Sequence, residues 1–366
     1  MDKTIQKQLA EIGVKFRLPG TLYAYEVICN GNINTTYEVH YRQDGKVKSY
    51  IVQKVNTYVF KNPEQIMRNI AGVTEHIAAK VTDRPTLHYH HTDDGRNFYI
   101  DADGSCWRVM NDFDSVTYNT CEDLKVLRNA GKAFGEFQMQ LSDYDASTLY
   151  ETIPDFHNTR KRLDQLFADA QADVCGRVQE VQPELEYIRS VYDTACRLNV
   201  MLEKGELPLR VTHNDTKTNN VLFDRKTGEP LAVIDLDTVM PGLAMHDFGD
   251  AVRFAANNAA EDEPDLSKVS LDLNKFRAFA EGYIGATAKA LTRQEIDTMA
   301  LGAFTIAIEL ASRFLDDYIT GDKYFKVNYE GHNLVRTRCQ LRLAQDMQAK
   351  MPEMERIVAE IAAANS

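Results

Sequence analysis

Asp215, Asn220 and Asp235 are the residues whose types and spacing suit chemistry. Asp215 stands in the polar run His213-Asn214-Asp215-Thr216-Lys217-Thr218-Asn219-Asn220, and Asp235 ends the apolar run Leu231-Ala232-Val233-Ile234. One carboxylate on a loop can orient and deprotonate a hydroxyl. An amide and a second carboxylate can hold a divalent cation through hard oxygens. Together they are the minimum needed to move a phosphoryl group from a magnesium nucleotide.

Such groups need elements to bring them together. Residues 221–223 and 231–234 read as two short strands, and Arg225-Lys226-Thr227-Gly228-Glu229-Pro230 supplies the turn between them. This hairpin would place Asn220 and Asp235 side by side, with Asp215 on the loop in front. Lys217, two residues past Asp215, can neutralise charge on a phosphoryl group in transit. His213 would brace the loop.

The order His213-x-Asp215-x-x-x-x-Asn220 with Asp235 behind it is similar to the catalytic loop and metal aspartate of protein kinases. The wider sequence resembles the aminoglycoside phosphotransferase and choline kinase superfamily, and within it the N-acetylhexosamine 1-kinases. The run from His213 to Asn220 and the run Asp235-Leu236-Asp237-Thr238-Val239-Met240-Pro241-Gly242-Leu243, continued to Phe254, carry that resemblance. Gly31-Asn32-Ile33-Asn34-Thr35-Thr36-Tyr37, Asn62-Pro63 and Arg313-Phe314-Leu315 extend it over about residues 20–345. It implies an α+β, two-lobed protein-kinase-like fold, with a small antiparallel-sheet N-lobe and a larger, mostly helical C-lobe. It also implies ATP and Mg2+ as cofactors, Asp215 as base, and Asn220 and Asp235 as metal ligands. The acceptor it implies is the anomeric C1 hydroxyl of N-acetylglucosamine or N-acetylgalactosamine. Asn32, Asp250, Arg313 and Tyr324 are the expected acceptor-binding residues, although Asp250 and Arg253, one helical turn apart, could instead form a pair.

The pattern along the chain is consistent with two lobes. A short amphipathic helix over 3–12 precedes strands at 23–29, 36–42 and 48–55, a helix over 63–79, and strands near 97–100 and 106–110. The turn containing Asn32, Asn34 and Thr35 offers small donors for phosphates. On the third strand, Gln53 and Lys54 point to opposite faces, and Lys54 is the candidate phosphate cation if it faces inward. Glu64 and Glu75 are candidates to pair with that cation, or else solvated surface charges. Asn111 stands where a kinase hinge would read adenine. Helical periodicity then takes over, over about 124–141, 155–173, 184–203, 272–289, 293–316 and 331–349. The shift near residue 113 divides the chain into an N-lobe, 1–112, and a C-lobe, 113–366. Asp247-Phe248-Gly249 mimics the metal-binding string of protein kinases. It lies too far from the hairpin, so Asp247 reads as a structural carboxylate at a helix start. Asp237 is left between a second metal contact and hydrogen bonding within its loop.

Composition narrows the partners. A net charge of −12 argues against nucleic acid or an anionic membrane, which need a basic face. Six scattered cysteines without a C-x-x-C pair suggest free thiols, and His88-Tyr89-His90-His91 lacks further ligands at metal spacing. No apolar run reaches the roughly 20 residues of a membrane span, so a cytoplasmic enzyme with ATP and a small acceptor as its partners is expected. Three alternatives stand beside the sugar reading. They are an amino alcohol, aminoglycoside or other sugar acceptor, a protein kinase, and a nucleotide-binding relative without activity.

Overall fold

A five-stranded antiparallel sheet and the helix packed on its outer face build the amino-terminal part of this computed structural model, which describes residues 3–28, 33–120 and 122–365. The strands are β1 (Thr21–Ile28), β2 (Thr35–Gln43), β3 (Lys46–Val55), β4 (Tyr99–Ile100) and β5 (Cys106–Asn111), in the order β1-β2-β3-β5-β4. Alternation along these strands sorts their side chains. Tyr37, Val39 and Tyr41, Tyr50 and Val52, and Trp107 and Val109 pack against Leu9 and Ile12 of α1 (Lys3–Lys15). The other face carries Thr36, Gln53 and Arg108, with Val55, Cys106 and Met110 joining Ile66, Met67 and Ile70 of α2 (Pro63–Lys80). That inner face is the one turned toward the rest of the chain.

After the short β6 (Ser115–Val116) the chain becomes mostly helical, which gives the two-lobed α+β, protein-kinase-like architecture. The helices before the site are α3 (Leu124–Gln140), α4 (Thr159–Ala172), α5 (Gln182–Ser190), α6 (Tyr192–Ala195) and α7 (Arg197–Glu203). Site strands follow: β7 (Arg210–Thr212), β8 (Val221–Asp224), β9 (Pro230–Val233) and β10 (Met240–Gly242). β8 pairs with β6 and β9, and β7 pairs with β10. The last helices are α8 (Ala244–Ala255), α9 (Leu273–Thr287), α10 (Arg293–Asp297), α11 (Met299–Thr320) and α12 (His332–Asn365).

Three helical spans differ from the sequence expectation. The single helix expected over 184–203 is three pieces, because the backbone tightens at Val191 and Cys196. Its apolar face continues across the breaks through Ile188, Val191, Ala195 and Leu198, so periodicity does not register them. The helix expected from 293 is interrupted at Thr298, after a capping box of Thr292 with Glu295. The last helix runs through Pro352 to Asn365, because buried Met354, Ile357, Val358 and Ile361 offset the backbone bond that proline removes.

α3 and α9 pack so closely that Gly282 lies against the α3 backbone. A Cβ there would sit 2.0 Å from the carbonyl oxygen of Arg128 and 2.6 Å from the amide of Lys132. Gly282→Ala is therefore expected to force the helices apart and to cost about 1–3 kcal/mol, read as a lower urea midpoint. An unchanged midpoint would mean that this contact yields freely.

Candidate active site

The catalytic loop is fixed from behind by α8. Asp247 is buried, and its two carboxylate oxygens accept the amides of His213 and Asn214, each at 2.8 Å. Thr216 donates its hydroxyl to the Asp247 carbonyl at 2.6 Å and its amide to Asp250 at 2.9 Å. Asn214 takes a left-handed conformation, φ 63°, and its side chain donates to the Thr238 carbonyl at 2.8 Å. The expectation of a structural Asp247 agrees with this geometry, although its partners are loop amides rather than free amides of its own helix.

His213 is held in one tautomer. Its Nε2 lies 2.9 Å from the Ile234 carbonyl, which only accepts, so Nε2 carries the proton. Nδ1 then accepts the Asp215 amide at 3.2 Å. The rings of Phe134 and Phe137 stand edge-on to the imidazole. A neutral histidine thus ties the Asp215 loop to the end of β9.

Asp215 projects at the front of this frame. Lys217 donates to one of its oxygens at 2.8 Å, and Asn220 donates to the other at 3.2 Å and to the Asp215 carbonyl at 2.8 Å. Burial alone would lower the Lys217 pKa, but the carboxylates of Asp215 and Asp250 outweigh it and raise it. Asp235 follows β9 in a left-handed conformation, φ 61°, and the Ile234 amide beside it donates to the Asn220 carbonyl at 2.9 Å. Asp235 is exposed to solvent but crowded by the protein around it. That placement, then the carboxylates of Asp237 and Asp215, pushes its pKa up to about 6. Asp215, Asn220 and Asp235 are thus brought together as the hairpin required.

The donor set fits magnesium. The Asn220 amide nitrogen is spent on Asp215, which leaves its oxygen as the donor, and Asp235 sits among like charges with need of a cation. Two hard protein oxygens, completed by phosphate and water, are how Mg2+ is usually held. Among the described residues no group of three or more His, Cys, Asp or Glu side chains forms a metal site by itself. His90 packs edge-on to Tyr50, and His91 lies 3.6 Å from Glu75.

Other site expectations need correction. Lys54 pairs with Thr35 on β2 and lies over the Trp107 ring at 5.7 Å, on the α1 face of the sheet and away from the cleft. Strand alternation gives the inner face to Gln53, whose amide donates to Thr36 at 3.0 Å. For the same reason Thr36, not Thr35, carries the inward side chain. Asn34 has its amide committed at both ends, donating to Asp237 at 2.7 Å and accepting the Asn56 amide at 2.9 Å. Asn111 is likewise spent within its own lobe. Its side chain bonds the Thr86 carbonyl and the His88 amide, and its own amide donates to the His88 carbonyl. Asp250 is buried, paired with Arg253 at 2.8 Å and accepting the Thr216 amide, so its carboxylate is already committed. Asn32 and the Gly31 turn lie outside the described residues. Glu64 pairs with Arg68 and Glu75 approaches His91, so neither reaches a cation on the inner face.

That cation is Arg108, which the sequence reading passed over. It is fully buried, its Nε donates to Gln53 at 2.9 Å, and both terminal nitrogens bond Asp237, one of them at 3.0 Å. Burial would lower its pKa, but Asp237 overrides that and raises it. Asp237 therefore serves neither alternative considered for it: it pairs across the lobes. The available signal was a charged residue alternating with apolar ones in Cys106-Trp107-Arg108-Val109-Met110.

Arg313 and Tyr324 border a cavity of about 450 Å3 with Arg162, Asp316, Lys323 and Phe325. The Arg313 guanidinium lies over the rings of Phe156, Phe325 and Tyr324 at 5.4, 5.5 and 5.8 Å. Tyr324 itself is 72% exposed. A second cavity of about 350 Å3, lined by Phe156, His157, Asn214 and His246, reaches the catalytic loop, and Asp155 borders both.

A sheet lobe closed over a loop of this geometry defines a kinase-like phosphotransferase. The phosphotransferase enzyme family model matches residues 25–281, more than half of the chain, and the chain belongs to that family. Among solved structures it is similar to a microcompartment-associated aminopropanol kinase, at 14% identity and TM-score 0.60, over 95% of this chain and 98% of that one. It is also similar to an aminoglycoside phosphotransferase from Alicyclobacillus acidocaldarius, at 12% identity and TM-score 0.61, over 96% of both chains. A choline kinase from Cryptosporidium parvum matches at 13% identity and TM-score 0.57, over 95% and 96%. Identities this low speak for the fold. Members of the family are kinases acting on hydroxyl acceptors, and this chain is an enzyme of that class. No helix among the described residues is long and apolar enough to cross a membrane.

Proposed function

We propose that this phosphotransferase moves the γ-phosphoryl group of ATP to the anomeric C1 hydroxyl of an N-acetylhexosamine, giving the sugar 1-phosphate. Asp215 orients that hydroxyl and takes its proton. The sugar oxygen then bonds to the γ-phosphorus, and the β–γ bridging oxygen leaves with the bond's electrons. An anomeric hydroxyl is more acidic than an ordinary alcohol, so an unexceptional carboxylate suffices as base. Asn220 and Asp235 hold Mg2+, which when bound neutralises phosphate charge. Lys217, already on Asp215, is placed to follow the charge that develops beside it.

One observation carries the choice of a neutral acceptor: two guanidinium groups of the larger cavity, Arg313 and Arg162, are left without an ion pair among the described residues. Asp250 is paired with Arg253 and Asp215 with Lys217, while Glu309 bonds the His157 ring at 2.7 Å. Burial, then the carboxylate of Asp169, pushes Asp316 up to about 7, which thins the negative charge in the larger cavity. Among the described residues Arg313 forms no ion pair, and the buried Nε of Arg162 has no partner. Planar donors beside aromatic rings suit hydroxyl and acetamido oxygens and repel ammonium groups.

The test is transfer from ATP and Mg2+ to N-acetylglucosamine, N-acetylgalactosamine, glucose, galactose, choline, ethanolamine and kanamycin. The phosphorylated carbon is assigned by proton-coupled phosphorus NMR. An anomeric phosphate on an N-acetylhexosamine is the expected product. Transfer only to the amines would discard the sugar acceptor while keeping the roles of Asp215, Asn220 and Asp235.

A further inference from the structure

We infer that Arg108 is a positioning residue for the metal-binding turn: from the sheet of the amino-terminal lobe it holds Asp237 and, through it, the conformation that presents Asp235. The inference rests on the phosphoryl-transfer reading of Asp215, Asn220 and Asp235, not on the identity of the acceptor.

The geometry leaves Arg108 little else to do. Its Nε is taken by Gln53, its two terminal nitrogens by Asp237, and one of these also lies 3.7 Å from the Met67 sulfur. The guanidinium is fully buried and stands 5.6 Å from the Tyr89 ring centroid. It could not reach a phosphate without abandoning a buried carboxylate. Asp237 is equally committed, with one oxygen on Arg108 and the other shared by Arg108 and Asn34. Asn34 in turn caps the Asn56 amide at the end of β3. Two segments of the sheet lobe thus converge on one carboxylate of the other lobe.

That carboxylate is two residues from Asp235. Leu236, the one residue between them, starts a single tight turn, Leu236–Thr238, which Asp235 precedes in a left-handed conformation. A non-glycine residue in that region needs support from its surroundings. Leu236, buried in the core, supplies part of it, and the bidentate fork on Asp237 fixes the other side. A kinase usually ties its sheet to the nucleotide phosphates through a strand lysine. Here Gln53 stands on the inner face of that strand, and the coupling passes one strand over to Arg108.

The test uses the full chain and ADP as probe, so no acceptor is needed. ADP affinity is measured calorimetrically with and without Mg2+ for the wild type, Arg108→Lys, and the charge-balanced double variant Arg108→Gln/Asp237→Asn. Lysine keeps the charge but loses the fork, and glutamine is too short to span the gap. In the wild type Mg2+ is expected to tighten ADP binding. In both variants that gain is expected to shrink by about tenfold or more, while affinity for ADP without Mg2+ stays within about threefold, since Arg108 touches no phosphate. A merely structural role would lower thermal stability and leave the Mg2+ gain per folded molecule unchanged. A gain within about twofold of wild type in Arg108→Lys would overturn the inference; if that variant does not fold, the double variant is held to the same threshold. No Mg2+ gain in the wild type itself would overturn the metal placement at Asn220 and Asp235, and the inference with it.

Discussion

Asp215→Asn is expected to lower kcat by about 10²–10⁴-fold, the range associated with losing a positioned general base. The substitution keeps size and shape but inverts the hydrogen bonding. Asp215 accepts from Lys217 on one oxygen and from Asn220 on the other. An asparagine can accept on only one side and must turn its amide nitrogen toward the other donor. The base is lost, and either Lys217 or Asn220 loses its acceptor. Stability should change little, because the Asp215 and Lys217 side chains are 29% and 35% exposed, and such pairs contribute about 0–1 kcal/mol. The loop also keeps its anchors on Asp247. Steady-state kinetics beside urea denaturation separate the two effects. Turnover within about threefold of wild type, in a folded variant, would remove Asp215 from the mechanism.

Asp237→Ala is expected to cost stability instead, by about 3–5 kcal/mol, because it strands a guanidinium in the interior. The Asp237 and Arg108 side chains are 3% and 0% exposed, so water cannot replace the lost partner. Asn34 also loses its acceptor. Removing both charges should hurt less than removing one, since desolvating an ion pair consumes much of its Coulomb gain. Arg108→Met/Asp237→Ala should therefore recover a large part of the loss. Urea midpoints of the two single variants and the double variant complete the cycle. A loss below about 1 kcal/mol for Asp237→Ala would mean that the pair is not closed as described. Kinetics cannot substitute here, because an unfolded fraction mimics a catalytic defect.

Local order along the chain was enough for the centre of this site. His213, Asp215, Asn220 and Asp235 lie within one loop and the hairpin behind it, so their meeting follows from a turn and two short strands; the two-lobed class came from the family resemblance, and the change of period near residue 113 is consistent with it. The N-lobe residues were a different matter. Whether Gln53 or Lys54 faces inward depends on which side of the sheet α1 covers, and alternation alone is symmetric until that helix docks through Leu9 and Ile12. The partner of Asp237 lies 129 residues away on another strand, and Asn34 lies 203 away. No local pattern records such separations, because the energy that selects them comes from burying a charge where only one other buried charge can meet it. Asp250 shows the same limit. Its spacing left it between a pair with Arg253 and a contact to substrate, and only the packing of α8 decided for Arg253, with Thr216 on the catalytic loop as second partner. Residue types and short spacings determined which chemistry this chain can perform. Only the closing of one lobe on the other decided which charges remain free to perform it.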